Sequence, residues 1–232
     1  APLVAAYFLT KVQGGRGLLP TGVPGVPPAD VLIVGGGTVG SNAARVAAGL
    51  GAKVTILDIN LERLRYLADV LEGRLTVLAS NAYNVEKAVA DADLVIGGLL
   101  IAGAKAKKVV TRAMIANMRR GSVIVDVAID QGGCVEGARP TSHEHPVFTI
   151  DGVTMYCVAN LPGCVSRTST FALTNATFPY VSKLANLGYR SAMRADPALA
   201  RGLNVAQGKL VCKPVADFRL QLGHSLVVFG DF

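Results

Sequence analysis

Apolar residues along this chain fall into short, nearly unbroken runs, separated by stretches where they recur every three or four positions. The runs are VLIVG at 31–35, KVTILD at 53–58, LTVLA at 75–79, LVIGG at 94–98, SVIVDVA at 122–128 and VTMYCVAN at 153–160. Runs this continuous suit parallel strands covered on both faces, where neither side meets water. The stretches at 39–50, 61–71, 85–90 and 111–118 carry the helical period instead. Strand and helix in alternation predict βαβ units, hence an α/β fold with a doubly wound, mostly parallel sheet.

The flanks differ. Residues 1–12 are apolar at helical spacing (Leu3, Val4, Tyr7, Phe8) and stop at Gln13-Gly14-Gly15. The Pro/Gly-rich stretch 20–28 cannot be regular helix, because proline removes donors and restricts its neighbours. Beyond the last strand, 168–187 reads as one long helix, with a kink or break expected at Pro179. Asp196-Pro197 then opens a short capped helix, and the tail from Leu203 is short-segmented. These C-terminal helices are expected to belong to a second, incomplete domain.

Composition narrows the class. With 232 residues, 51% of them hydrophobic and 17% charged, the chain can bury a real core. The net charge of +7 would suit a nucleic-acid binder only if it were concentrated, but Arg63 and Arg65, Lys105 to Lys108, and Arg119 and Arg120 are scattered short groups. No nucleic-acid partner is therefore expected. Cys134, Cys157, Cys164 and Cys212 form no CxxC pair, which suits reduced thiols and a cytoplasmic location. The longest apolar run, 94–104, is about half the length of a membrane span and holds three glycines, so no membrane segment is expected. Residues 1–15 lack the charged start of a signal peptide and contain no Met, so the sequence reads as beginning inside a longer one.

Candidate chemistry gathers where the runs end. Gly35, Gly37 and Gly40 fit GxGxxG directly between a strand and a helix. There the first glycine permits a tight turn, the second lets backbone approach a pyrophosphate, and the third lets helix pack on strand. The helix start adds unpaired N–H groups and the positive end of its dipole. Asp58 ends the next strand, 23 residues after Gly35. A carboxylate there accepts from ribose hydroxyls and repels a 2′-phosphate, which favours NAD over NADP. Asp126 and Asp130 follow a later strand, where one is expected to serve a ligand and the other to cap a turn. Asn160 is either a partner for a carboxamide or a turn residue. His143 and His145 lack zinc spacing, so no metal is expected, and Cys164 reads as a structural thiol.

These segments resemble the NAD-dependent alanine dehydrogenases, grouped with the nucleotide domains of proton-translocating transhydrogenases. The likeness rests on GGRGLL at 14–19, GVPGV at 22–26, GGGTVGSNAA at 35–44, VTILDIN at 54–60, ADLVIG at 92–97 and GAKA at 103–106. It continues through VIVDVAIDQGGC at 123–134, RPT at 139–141, YCVANLPG at 156–163 and RTSTFALTNAT at 167–177, and the AIDQGG form favours the dehydrogenases. The resemblance implies that Asp58 holds the adenosine ribose beside Arg63, that Thr38 and Val39 meet the pyrophosphate, and that Ser80, Leu99 and Leu100 line the groove. It further implies that Val127, Ala128, Ile129 and Asp130 border the nicotinamide with Arg139, that Val158, Ala159, Asn160 and Leu161 close that end, and that Asp130 is catalytic.

The implied reaction is hydride transfer from Cα of L-alanine to NAD, giving pyruvate and ammonia, in a family expected to form homo-oligomers. The family's carboxylate-gripping Arg and Lys and its catalytic His find no matching position, and the tail after Asp217 departs from the family. The implied organisation is a linker helix at 1–18, an NAD-binding domain at 19–165, and the helical part of the catalytic domain at 166–232. A non-catalytic NAD(H)-binding module, or a transhydrogenase-like nucleotide domain, is the alternative.

Overall fold

The computed structural model describes residues 1–99, 108–212 and 215, which group into two units, 1–161 and from 162 onward. In the first unit, β1 (Asp30–Val34), β2 (Lys53–Asp58), β3 (Leu75–Ala79), β4 (Leu94–Gly97), β5 (Val123–Asp126), β6 (Val147–Ile150) and β7 (Val153–Tyr156) form one sheet. Its order is β3-β2-β1-β4-β5-β7-β6. Every pairing is parallel except the β6–β7 hairpin.

The apolar runs become strands because both of their faces are covered. On one face Val31, Ile33, Val54 and Ile56 pack beneath α1 (Pro2–Phe8), α2 (Thr38–Gly49) and α3 (Leu61–Val70). On the other, Leu32, Val34, Leu57 and Val95 meet Val85 and Val89 of α4 (Ala82–Asp91) and Ile115 of α5 (Arg112–Ala116). Alternate residues of β1 thus serve opposite cores, which is why no position in the run could be polar. The order reverses between β1 and β4, and the carboxyl ends of those strands form the cleft where ligands enter such sheets.

One strand escaped the sequence reading. β6 lies at the sheet edge with Val147 and Phe148 half-buried and Thr149 exposed, so it shows no continuous apolar run.

In the second unit, α6 (Ser166–Ala195) carries Pro179 within helical dihedrals, and the interruption falls at Gly188 (φ 69°, ψ 157°). The expected break at Pro179 is corrected accordingly. A lost N–H leaves a helix able to continue, whereas Gly188 adopts a backbone conformation costly for other residues. α7 (Pro197–Arg201) follows. Asp196 accepts from the N–H groups of Ala198 and Leu199 at 2.9 and 3.3 Å and from Lys183 Nζ at 2.6 Å. That lysine bond holds the Asp196 carboxyl below the usual carboxylate range. A short hairpin, β8 (Val205–Ala206) with β9 (Lys209–Leu210), ends the described part. The expectation for the tail after Asp217 lies outside the described residues.

Candidate functional site

The carboxyl ends of five neighbouring strands line up as one ledge, because ladder hydrogen bonds continue one residue past the strands. Ser80 N–H donates to Asp58 O at 2.9 Å, Gly35 N–H to Leu57 O at 2.8 Å, Gly98 N–H to Val34 O at 2.9 Å, and Val127 N–H to Gly97 O at 2.9 Å. Ser80, Asp58, Gly35, Gly98 and Val127 therefore stand in a row, although the sequence spreads them over 92 positions between Gly35 and Val127.

The centre of the row is the glycine turn. Gly35 has φ +100°, and a Cβ there would lie 3.0 Å from Leu99 Cδ2. Gly40 touches the Gly35 carbonyl so closely that any side-chain carbon would fall on that oxygen. Gly37, by contrast, faces open space, and Gly37, Thr38 and Val39 are exposed. The next three helices of this unit have side-chain caps: Asn60 accepts from Arg63 N at 3.0 Å, Asn81 from Asn84 N at 2.8 Å, and Thr111 from Met114 N at 3.3 Å. α2 starts at Gly37 with no side-chain cap. Its first N–H groups and its dipole end stay open to an anion.

Asp58 and Arg63 hold the turn from both sides. Gly36 N–H donates to Asp58 Oδ2 at 2.6 Å and Asn60 N–H to Oδ1 at 2.8 Å, while Arg63 Nε donates to the Gly36 carbonyl at 2.7 Å. Arg63 also lies 5.0 Å from the Tyr66 ring centroid. Asp58 is half-buried, and each of its oxygens retains lone-pair capacity beyond the single bond it accepts.

Beyond Val127 the chain makes a tight 3₁₀ turn, Ile129–Gln131, which exposes Asp130 and buries Ala128 and Ile129. Of the two aspartates, Asp126 is the one that caps the turn. Asp126 is buried and accepts from Ala128 N and Val135 N, both at 3.1 Å, with Cys134 Sγ at 3.6 Å. Burial pushes its carboxyl up, and those N–H bonds offset part of the shift. Burial and the Asp126 charge in turn raise the thiols of Cys134 and Cys157, the latter to about 12, so neither offers a thiolate near neutral pH.

Two residues at this loop, one within it and one distant in sequence, add to the site residues named from the sequence. Lys108 Nζ donates to Gly132 O at 2.5 Å and Val135 O at 3.0 Å, closing the loop from 24 and 27 positions away. Gln131 keeps its Oε1 buried with no hydrogen-bond partner among the described residues. Lys108 carried no local signal, since its contacts lie 24 and 27 positions away.

Past β7, Thr141 N–H donates to Cys157 O at 2.9 Å and Ala159 N–H to Thr141 O at 3.2 Å, which places Val158 to Leu161 beyond the strand end beside segment 139–141. Asn160 is exposed with φ +54°, and its carbonyl lies 3.2 Å from His143 Nε2. Its backbone thus fits the turn alternative. Arg139 stacks 4.6 Å from the Phe148 ring centroid. Leu100 lies outside the described residues. Among the described residues, no cluster of three or more His, Cys, Asp or Glu is arranged to hold a metal ion, and no helix is long and apolar enough to cross a membrane.

A doubly wound sheet with a glycine turn, an uncapped helix start and a strand-end carboxylate at its switch point defines a protein of the dinucleotide-fold class. Comparison with known proteins narrows the class. Residues 1–213 match the family model described as "Alanine dehydrogenase/PNT, C-terminal domain", and the chain belongs to that family.

The chain is 55% identical over 216 residues to an alanine dehydrogenase of Mycobacterium tuberculosis, covering 93% of this chain and 58% of that protein. An alanine dehydrogenase of Halomonas elongata is 54% identical over 226 residues, covering 97% and 61%. A solved L-alanine dehydrogenase superposes with TM-score 0.89 at 51% identity, covering 95% of this chain and 61% of that one. A transhydrogenase from Sinorhizobium meliloti is more distant, with TM-score 0.60 at 30% identity over 71% of this chain and 47% of its own. The chain therefore spans about three-fifths of the length of the curated relatives it matches.

Proposed function

We propose that this chain is the NAD(H)-binding part of an L-alanine dehydrogenase, serving oxidative deamination of L-alanine to pyruvate and ammonia. The observation that carries the reading is the Gly36 peptide clamped between Asp58 and Arg63 at the open start of α2. The residues fit the dinucleotide: exposed N–H groups for a pyrophosphate, open space at Gly37, and a carboxylate with acceptor capacity for ribose hydroxyls. When bound, NAD supplies the hydride acceptor for the amino acid's Cα–H.

The chain's own residues do the rest. Thr38 and Val39 meet the pyrophosphate, Asp58 the adenosine ribose, and Ser80 and Leu99 line the groove. Val127 to Asp130 and Val158 to Leu161 flank the nicotinamide end, with Arg139 contributing from segment 139–141. Asp130, exposed on its 3₁₀ turn, orients the substrate amine or takes its proton. The free thiols of Cys134 and Cys157 suit a cytoplasmic setting.

Titrating the chain with NADH and separately with NADPH, followed by ligand fluorescence, tests this reading. Saturable NADH binding is expected, with NADPH at least about tenfold weaker; equal affinities or no binding would remove the assignment. Alanine oxidation by these 232 residues alone is expected to fall about a thousandfold or more below a typical dehydrogenase, since no position matches the family's substrate-gripping Arg and Lys. A full rate would show that this chain positions alanine unaided.

Assembly into a homo-oligomer belongs to the same proposal. It is supported by Phe171, Leu173, Phe178 and Val181 of α6, each more than half exposed. Light scattering over a concentration series is expected to show self-association, and a strictly monomeric chain at high concentration would count against it.

A further inference from the structure

The end of the sheet opposite the ledge carries a different kind of cavity. It is an open hollow of about 360 Å³, lined by Lys11, Gly14, Gly15, Arg16, Arg120, Gly121 and Gly152. These residues come from three places: the turn after α1, the entry to β5 and the β6–β7 hairpin. The intervening strands β4 and β5 have four residues each, so the two ends of the sheet stand ~13 Å apart.

A glycine lies beside the stem of each of the three cations, tightly so for the two arginines. Lys11 lies along Gly17, whose Cβ would be 3.6 Å from Lys11 Cβ. A Cβ at Gly121 would lie 3.2 Å from Arg16 Cγ, and one at Gly152 would lie 3.1 Å from Arg120 Cγ and 3.2 Å from its Nε. A methyl group at Gly121 or Gly152 would push its arginine away from the cavity.

The charges do not balance. Asp93, buried at the entry to β4, pairs with Arg16 and more loosely with Arg119 at 3.5 Å, and it also accepts from Asp30 N at 2.9 Å. Asp151, next to Gly152, is taken by Arg112, with bonds of 2.7 and 3.1 Å. Lys11 and Arg120 form no ion pair among the described residues. Three cations thus line a polar hollow, and of these only Arg16 has a carboxylate partner, Asp93, which it shares with Arg119 from outside the lining. Burial, and then the like charge of Arg119, depress the Arg16 guanidinium below its ordinary value, a cost that an anion would relieve.

We propose that this cavity is an oxyanion site, in which Lys11, Arg16 and Arg120 receive a tetrahedral anion of the phosphate class, apart from the dinucleotide ledge. Two guanidinium forks and an ammonium suit a group with several oxygens better than a spherical halide.

Titration with inorganic phosphate against sodium chloride at matched ionic strength, read by calorimetry and by Tm, tests this. The full chain is expected to bind phosphate saturably and to gain Tm beyond the chloride control. The double variant Lys11→Gln/Arg120→Gln is expected to bind at least about tenfold more weakly. Both residues are exposed, so circular dichroism should show an unchanged fold; Arg16 stays, because removing it would strand Asp93. Arg65→Gln/Lys87→Gln, which removes the same charge from other exposed positions, is expected to bind as the parent chain does. The proposal fails if phosphate does no more than chloride, if binding survives in Lys11→Gln/Arg120→Gln, or if both double variants lose it equally.

Discussion

Gly40→Ala is expected to destabilise the protein by about 3 kcal/mol or more and to abolish NADH binding with it. The added methyl carbon would land on the Gly35 carbonyl oxygen, which belongs to the turn leaving β1. Backbone cannot rotate aside as a side chain would, so β1 and α2 must separate, at the upper end of what overpacking costs. Ile33 Cγ2, 3.1 Å from the same added carbon, blocks the other direction.

Gly37→Ala is the matched control. Its Cβ meets nothing within 4 Å, and its φ of −67° suits any residue. Stability should change by less than about 1 kcal/mol, while the methyl group stands where backbone approaches the pyrophosphate and NADH binding weakens. Urea unfolding read beside NADH fluorescence separates the two variants. Equal stability for both would mean that the turn relaxes more easily than its contacts imply.

Asp58→Ala is expected to weaken NADH binding about thirtyfold, equivalent to about 2 kcal/mol for charge-assisted hydrogen bonds to ribose. Asp58 also holds the Gly36 and Asn60 N–H groups, so the variant could loosen the turn as well as lose the ribose contact. NADPH distinguishes these effects. Loss of the ribose contact relieves repulsion of the 2′-phosphate, so the NADH preference should collapse toward parity. A loosened turn would weaken both nucleotides alike and leave their ratio where it was. Unchanged NADH affinity would remove Asp58 from the ribose.

Together these variants examine the two things a dinucleotide ledge must do. Gly40 sets how closely helix and strand approach, and in the proposed function Asp58 selects the nucleotide that the closed ledge accepts. Arg63 connects them, since its Nε holds the carbonyl of the same Gly36 peptide whose N–H Asp58 holds. Binding and folding share one peptide plane.

Much of this was legible before any fold was known, and for a physical reason. Strands covered on both faces must be apolar throughout, so 31–35, 53–58 and 94–98 declared themselves from local composition alone. The glycine turn was equally local, because Gly35, Gly37 and Gly40 lie within six residues, Gly35 taking φ +100° and Gly40 packing on the Gly35 carbonyl. Asp58 was readable because the distance from the turn to the next strand end is set by one helix and its loops. The family resemblance was visible in the same way.

What the tertiary structure alone decided depends on residues far apart in sequence. Edge strand β6 has one half-open face and so left no apolar signature, while α6 breaks at Gly188, where the chain needs a positive φ, and not at Pro179. Lys108 closes the Asp130 loop from 24 positions away, and Asp93 serves Arg16 across 77. The basic hollow joins residues from 11 to 152, brought together only because the sheet order places the starts of β5 and β7 side by side. Local sterics and burial set elements and turns along the chain; the convergence of charges is set by which strands become neighbours, and no local pattern records that.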